Sequence, residues 1–291
     1  MKAIKNISKV LNPPAPHMVG DGFRVHNFFP NGYQLIMSPF YLLDYNATLA
    51  FSPRNIPRGV GVHPHRGFET VTLAYQGAVA HHDSAGNSGI IYPGDGQWMT
   101  AARGILHKEY HEENFSKTGG PFQMVQLWVN LPARDKMSTP KYQEIKNGEV
   151  AKFHLPDKAG TVEVIAGSFE GTLGKTTTFT PIEMYHIRLE KGSTLAFNLP
   201  KNFNTGLLVI EGEIEINHTD KAEQDQFAHF KNDGETISIV ALKNSFILVL
   251  SGEPIQEPIA AYGPFLMNNP EEIEQAIADY NEGRFGYLEQ E

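Results

Sequence analysis

The chain has no cysteine among its 291 residues. This excludes disulfides, thiolate nucleophiles and Cys-type zinc sites, and leaves any metal to His, Asp or Glu. It has no run of basic residues and carries a formal charge of -9. A nucleic-acid footprint needs a basic stripe, so direct contact with DNA or RNA is not expected. Nor is there an apolar run of the roughly 18 residues that spanning a bilayer requires. The opening MKAIKNISKVLNPPAPH lacks the uninterrupted apolar segment and cleavage site of a secretory signal. The expectation is a cytoplasmic protein without a membrane segment. Helical periodicity is also scarce.

What the sequence does have is punctuation. Its 27 glycines and 19 prolines separate short alternating or β-branched segments, such as FETVTLAYQG (68–77), FQMVQLWVNL (122–131), NTGLLVIEGEIEIN (204–217) and ETISIVALKNSFILVLSG (235–252). Many short strands divided by turns predict an all-β sandwich or barrel. The clearest helix lies in NNPEEIEQAIADYNEGRFG. Asn269 suits its cap, Pro270 its first position and Glu271 and Glu272 the positive end of its dipole. Ile273, Ala276, Ile277 and Tyr280 give it an apolar face to lay on a sheet, and Gly283 can end it.

A polar, turn-like stretch at 131–152 has strand-rich sequence on both sides. Two similar β-domains are therefore expected, an N-terminal one over 1–140 and a C-terminal one over 141–291. AYQGAVAHH in the first is echoed by VIEGEIEIN in the second, each a strand, a glycine and another strand. Fourteen residues before Gly77 stands His63, whereas fourteen before Gly212 stands Asn198. If the halves are duplicates, only the N-terminal one binds metal.

The chemistry gathers between Gly59 and Glu112. His63-Pro64-His65 and His107-Lys108-Glu109 are two pairs of ligand-type residues, each two apart. On a strand, that spacing puts both members on one face. Two neighbouring strands could then present three imidazoles and a carboxylate to one point, the inventory of a non-haem iron or related site. His63, His65, Glu69, Val71 and Leu73 share odd parity, so an unbroken strand would also bring Glu69 to that face, with Pro64 and Gly67 as points of interruption. Glu69 is thus a rival to Glu109 for the carboxylate.

GVHPHRGFETVTLAYQG, then the HxDSxGNSG, GDxQWMTAxRGIxHxE and GPFLMN patterns with an acidic helix following, resemble the pirin family of the cupin superfamily over nearly the whole chain. The resemblance implies a bicupin: two double-stranded β-helix (jelly-roll) barrels with few short helices and one metal, usually iron, in the N-terminal barrel. The family's ligands would fall on His63, His65, His107 and Glu109, which favours Glu109 over Glu69. Fe(II) is the expected metal, with another divalent transition metal as the alternative. The chain departs from the family pattern at His82, Gly96, Ala102 and Lys108, none of them a ligand position.

The resemblance also implies a quercetin 2,3-dioxygenase that opens a flavonol with dioxygen and releases carbon monoxide, Glu109 taking the substrate's proton. The other reading is an iron-dependent, redox-sensitive co-regulator that binds a protein partner. Two barrels in one chain imitate a cupin dimer, so a monomer is expected. His81 and Asp83 read as a hydrogen-bonded turn, with a place beside the metal as the second reading. Trp98, Met99, Phe122, Met124 and Trp128 read as core. His154, His186, His218 and His229 lack ligand spacing, and PGDG (93–96) is a turn with no helix after it.

Overall fold

A computed structural model describes residues 2–33 and 36–289. Its elements are overwhelmingly short strands, joined by two α-helices, Glu113–Thr118 and Pro270–Asn281. Among the described residues no helix is long and apolar enough to cross a membrane.

The chain divides into two compact units, but not by one cut at 140/141. One unit gathers the described residues of 14–36, 40–147 and 255–291; the other gathers the N-terminal residues to Pro13, 37–39 and 148–254. Each unit thus borrows a segment from the far end of the chain. The reason lies in strand edges. Ile7–Leu11 pairs antiparallel with Phe227–Phe230, bringing Val10 opposite Ala228 and closing an edge of the second unit's large sheet. In the first unit, the hairpin of Ala260–Tyr262 and Phe265–Met267 meets the corner after His65 through a parallel bridge between Arg66 and Phe265. The C-terminal helix packs on this hairpin.

Each unit pairs a seven-stranded with a four-stranded antiparallel sheet. In the first, the large sheet runs in spatial order Lys141–Ile145, Gly96–Thr100, Phe68–Gln76, Gly120–Asn130, Phe40–Phe51, Phe23–Phe29 and His17–Val19. The small one runs Gly59–His65, Ile105–His111, Val79–Asp83 and Ser88–Ile91. In the second, Phe227–Phe230, Asn204–Glu211, Ser245–Gly252 and Ile182–Leu189 lie side by side in the large sheet, and Thr194–Asn198, Thr236–Ala241, Glu213–Ile216 and Asp220–Glu223 form the small one. Thr194–Asn198 alternates exposed and buried residue by residue, as a strand with one wet face should. The inward sets, including Leu207, Ile216, Ile239 and Val249, form one continuous apolar cluster.

The C-terminal helix follows its sequence signals. The Asn269 side chain accepts from the Glu272 amide at 2.9 Å, Pro270 opens the helix, and Gly283 sits at φ +75 after it. Ile273 and Ala276 are buried and Ile277 packs beside them, while Tyr280 is exposed.

Candidate metal centre

Register assembles the site. Gly59–His65 pairs antiparallel with Ile105–His111, placing His107 opposite His63 and Ile105 opposite His65. A bulge between His107 and Glu109 then shifts Glu109 opposite Val60, the kind of irregularity that re-aims a side chain. On its other side the same strand sets Glu109 opposite His81 and His107 opposite Asp83. Alternation therefore collects His63, His65, His107, Glu109, His81 and Asp83 on one face of the small sheet. Ring centroids lie 4.8 Å apart for His63 and His65, 4.3 Å for His63 and His107, and 4.7 Å for His65 and His107. One ring nitrogen from each of the three falls within 4.8 Å of the others, and His81, His107 and Glu109 form a second such group.

The hydrogen bonds fix which nitrogens are available. His63 Nδ1 lies 2.8 Å from the Gly61 carbonyl, and His65 Nδ1 lies 3.3 Å from the Pro264 carbonyl. A carbonyl only accepts, so each Nδ1 carries the proton and each Nε2 keeps its lone pair, the arrangement seen when imidazole binds metal. His107 is 0% exposed, and neither of its ring nitrogens has a hydrogen-bond partner. A buried polar atom left unpaired costs about 1–3 kcal/mol, and a cation taking the lone pair would relieve that cost at one nitrogen. Burial, reinforced by the neighbouring His63, pushes His65 and His107 well below the usual imidazole range. They are held neutral, the state a metal requires. The donor set therefore fits a divalent transition metal.

Glu109 meets the opposite wall. In the large sheet Gln126 pairs with Thr72 and Thr72 with Gln97, a polar row crossing three strands. The Thr72 hydroxyl donates to Glu109 Oε1 at 3.1 Å, Gln97 Nε2 to the same oxygen at 3.3 Å, and Gln126 Nε2 to Oε2 at 2.6 Å. All three donors are neutral. The sequence flagged none of them, although polar residues in otherwise apolar strands were a usable signal.

Glu69 lies elsewhere. It shares a strand with Thr72 at the opposite parity, so it faces the other side of the sheet. There it is 1% exposed and accepts from the Thr100 hydroxyl at 2.7 Å. The parity linking Glu69 to the histidine pair fails at a corner. Gly67 stands at φ +89, and a Cβ there would meet the Leu266 carbonyl at 2.0 Å, so the chain turns through a conformation reserved for glycine. Lys136 Nζ donates to the carbonyls of Gly67 and Leu266 at 2.7 and 2.8 Å, and Arg66 is tied to Asp279 of the C-terminal helix at 2.8 Å. That helix thus anchors the corner next to His65, a role beyond covering a sheet.

Asp83 does hold a turn, accepting from the Ala85 and Asn87 amides at 2.9 and 3.0 Å, while His81 looks inward at Glu109. Trp98 and Met99 are fully buried. Trp128 is more than core: it stacks on Phe68 at 4.2 Å and meets the His65 ring edgewise at 5.3 Å, so it walls the site. Lys108 points away, its Nζ donating to the Glu289 carbonyl at 2.9 Å, and His82 stacks on Tyr110 on that same outer side. Ala102 sits at φ +44, a position a glycine would occupy without strain. Among the described residues both ligand-type groups lie in the first unit.

Two antiparallel barrels, one lined by three imidazoles and a carboxylate, define a bicupin with a site able to hold a metal ion. The chain belongs to the pirin family: residues 22–129 match the family described as Pirin, and residues 184–286 the one described as Pirin C-terminal cupin domain. It is 48% identical over 270 residues to a Pseudomonas aeruginosa protein named "Putative quercetin 2,3-dioxygenase", covering 92% of this chain and 94% of that one. It is 39% identical over 239 residues to human pirin, 79% of each chain. The crystal structure of a quercetin 2,3-dioxygenase from Acinetobacter baumannii superposes with a TM-score of 0.93 at 43% identity, covering 99% of this chain and 100% of that one.

Proposed function

We propose that the chain is a metal-dependent dioxygenase that opens the central ring of flavonols of the quercetin type with dioxygen and releases carbon monoxide. Its ligands are His63, His65, His107 and Glu109, and its metal is Fe(II). The observation that carries this reading is the buried His107 ring. Both its nitrogens are unpaired, and it stands beside two imidazoles whose Nε2 lone pairs are free by tautomer. The names of the bacterial relatives support the substrate class.

Bound Fe(II) supplies open coordination positions for a substrate oxygen and for dioxygen, and acidifies a hydroxyl placed there. The chain supplies the rest. Glu109, the carboxylate on the ligand face, accepts the proton of the flavonol 3-hydroxyl, and the Thr72, Gln97 and Gln126 donors hold both its oxygens in place. Trp128 and Phe68 close one wall with apolar rings that exclude water.

The test combines elemental analysis of the purified protein with carbon monoxide detection over quercetin. One iron per chain and carbon monoxide release, both lost in His63→Ala, are expected. Iron-loaded protein that releases none would overturn the substrate assignment. It would favour instead an iron-dependent protein-binding role, recognised by different partner recovery on ferrous and ferric protein.

A further inference from the structure

Gln97 is a wholly buried amide on the large sheet, with three contacts that fit one orientation of its side chain. Its Oε1 accepts the Tyr142 hydroxyl at 3.3 Å. Its Nε2 then faces Glu109 Oε1 at 3.3 Å and His81 Nδ1 at 3.2 Å. The opposite orientation would set the amide oxygen against a carboxylate oxygen, acceptor against acceptor. His81 must therefore accept at Nδ1 and carry its proton on Nε2, which lies 3.6 Å from Asp83 Oδ2. Tyr142 holds this arrangement a second way, its ring stacked on His81 at 5.4 Å and 24°.

This resolves the second donor group. His81, His107 and Glu109 lie close enough together to hold a cation, but two of them already share the Gln97 amide nitrogen. Gln97 thus links His81 to Glu109 within that group, while the imidazoles of His63, His65 and His107 form the other.

We propose that Gln97 is the positioning residue of Glu109: locked by Tyr142, it presents an N–H to the carboxylate and fixes where that group can reach. The inference rests on the reading of Glu109 as the carboxylate of the metal site. It adds that the geometry of this ligand is set from the opposite sheet.

The test uses the full chain loaded with Co(II), whose visible absorption reports the ligand set without turnover. Gln97→Met keeps the volume and removes the donor. It is expected to change the Co(II) spectrum in the same direction as Glu109→Gln and to weaken Co(II) binding roughly 10- to 100-fold, as loss of a ligand's supporting partner does. The double variant should bind no more weakly than Glu109→Gln alone, because Gln97 acts through Glu109. Tyr142→Phe, which unlocks the amide but leaves it present, should shift the spectrum the same way by less and stands in should Gln97→Met not fold. A Gln97→Met or Tyr142→Phe protein with wild-type spectrum and affinity would overturn the proposal, as would additive losses in the double variant. A Glu109→Gln protein with an unchanged spectrum would overturn the ligand assignment itself. Absence of flavonol turnover alone touches neither, since the readout is metal binding.

Discussion

The two barrels are built on one plan and filled with opposite chemistry. Gly77 and Gly212 each follow a strand that lies third from an edge of its seven-stranded sheet, and each takes positive φ. Five residues before them stand Thr72 and Leu207. Thr72 is flanked across the sheet by Gln97 and Gln126; Leu207 is flanked by Ala228 and Val249. Four residues after the glycines stand His81 and Ile216, facing Glu109 in one barrel and Ile239 in the other. Two residues before these come His107 and Ile237. Position for position, a polar interior in the first barrel answers an aliphatic one in the second. The fold is thus satisfied by Leu, Ile and Val, and it needs no imidazole, amide or carboxylate to close. Burying such groups opposes folding unless each finds a partner, and His107 finds none. On the reading proposed above, the polar set is there for the metal it binds.

The sharpest way to break the comparison is to remove that unpaired ring. His107→Ala should lower metal affinity by at least about 100-fold, read as loss of bound metal by elemental analysis. Its unfolding can be followed selectively, because Trp98 and Trp128, the only two tryptophans, both lie in the first unit. Retained stoichiometric metal would mean that the cluster is ornamental. The reciprocal change, Ile239→Glu, copies Glu109 into a barrel with no Thr or Gln row to receive it. An uncompensated buried charge costs about 3–5 kcal/mol, so calorimetry should show marked destabilisation. A loss under about 1 kcal/mol would mean that the second interior is looser than its apolar cluster implies. Third, Glu109→Gln leaves three imidazoles in place and should weaken metal binding by roughly 10- to 100-fold without emptying the site. Equal binding by this variant and wild type would return the carboxylate position to debate.

Legibility followed the range of the interactions. The strands, the terminal helix and the two i, i+2 pairs were readable because each depends on neighbours a few residues apart. The echo around Gly77 and Gly212 was readable for the same reason, but the count of fourteen ends one residue off: Ile237 pairs with Phe197 as His107 pairs with His63, so the buried Phe197, and not the exposed Asn198, answers His63. What stayed hidden came from register across distant strands. Gln97 and Gln126 reach Glu109 only because their strands flank Thr72, and Pro264 reaches His65 from nearly two hundred residues away. The segment exchange between the units was invisible because Ile7–Leu11 has the exposure pattern of an edge strand, with little apolar alternation to announce it. Glu69 was misplaced by parity, which a single left-handed glycine at 67 is enough to break.

Glu69 gives the subtlest test, since it is a buried carboxylate of the first barrel that lies off the ligand face. Burial pushes it up to about 7 from an ordinary value of 4.5, opposed in part by the Thr100 hydroxyl. A carboxyl whose folded pKa is raised binds its proton more tightly in the native state, so its contribution to stability is fully present below pH 4.5 and is lost as pH rises through about 7. Between pH 6 and pH 8 the loss amounts to about 1 kcal/mol. Glu69→Gln keeps an oxygen for Thr100 and removes the titration, so the first barrel of the variant should show a flatter pH dependence over that range, measured by tryptophan fluorescence in urea. The metal site should not notice, because Glu69 faces the other side of its sheet. A variant with unchanged pH slope would mean that Glu69 is already ionised in the fold. One that loses metal would put Glu69 back among the ligands and undo the assignment of the two sheet faces.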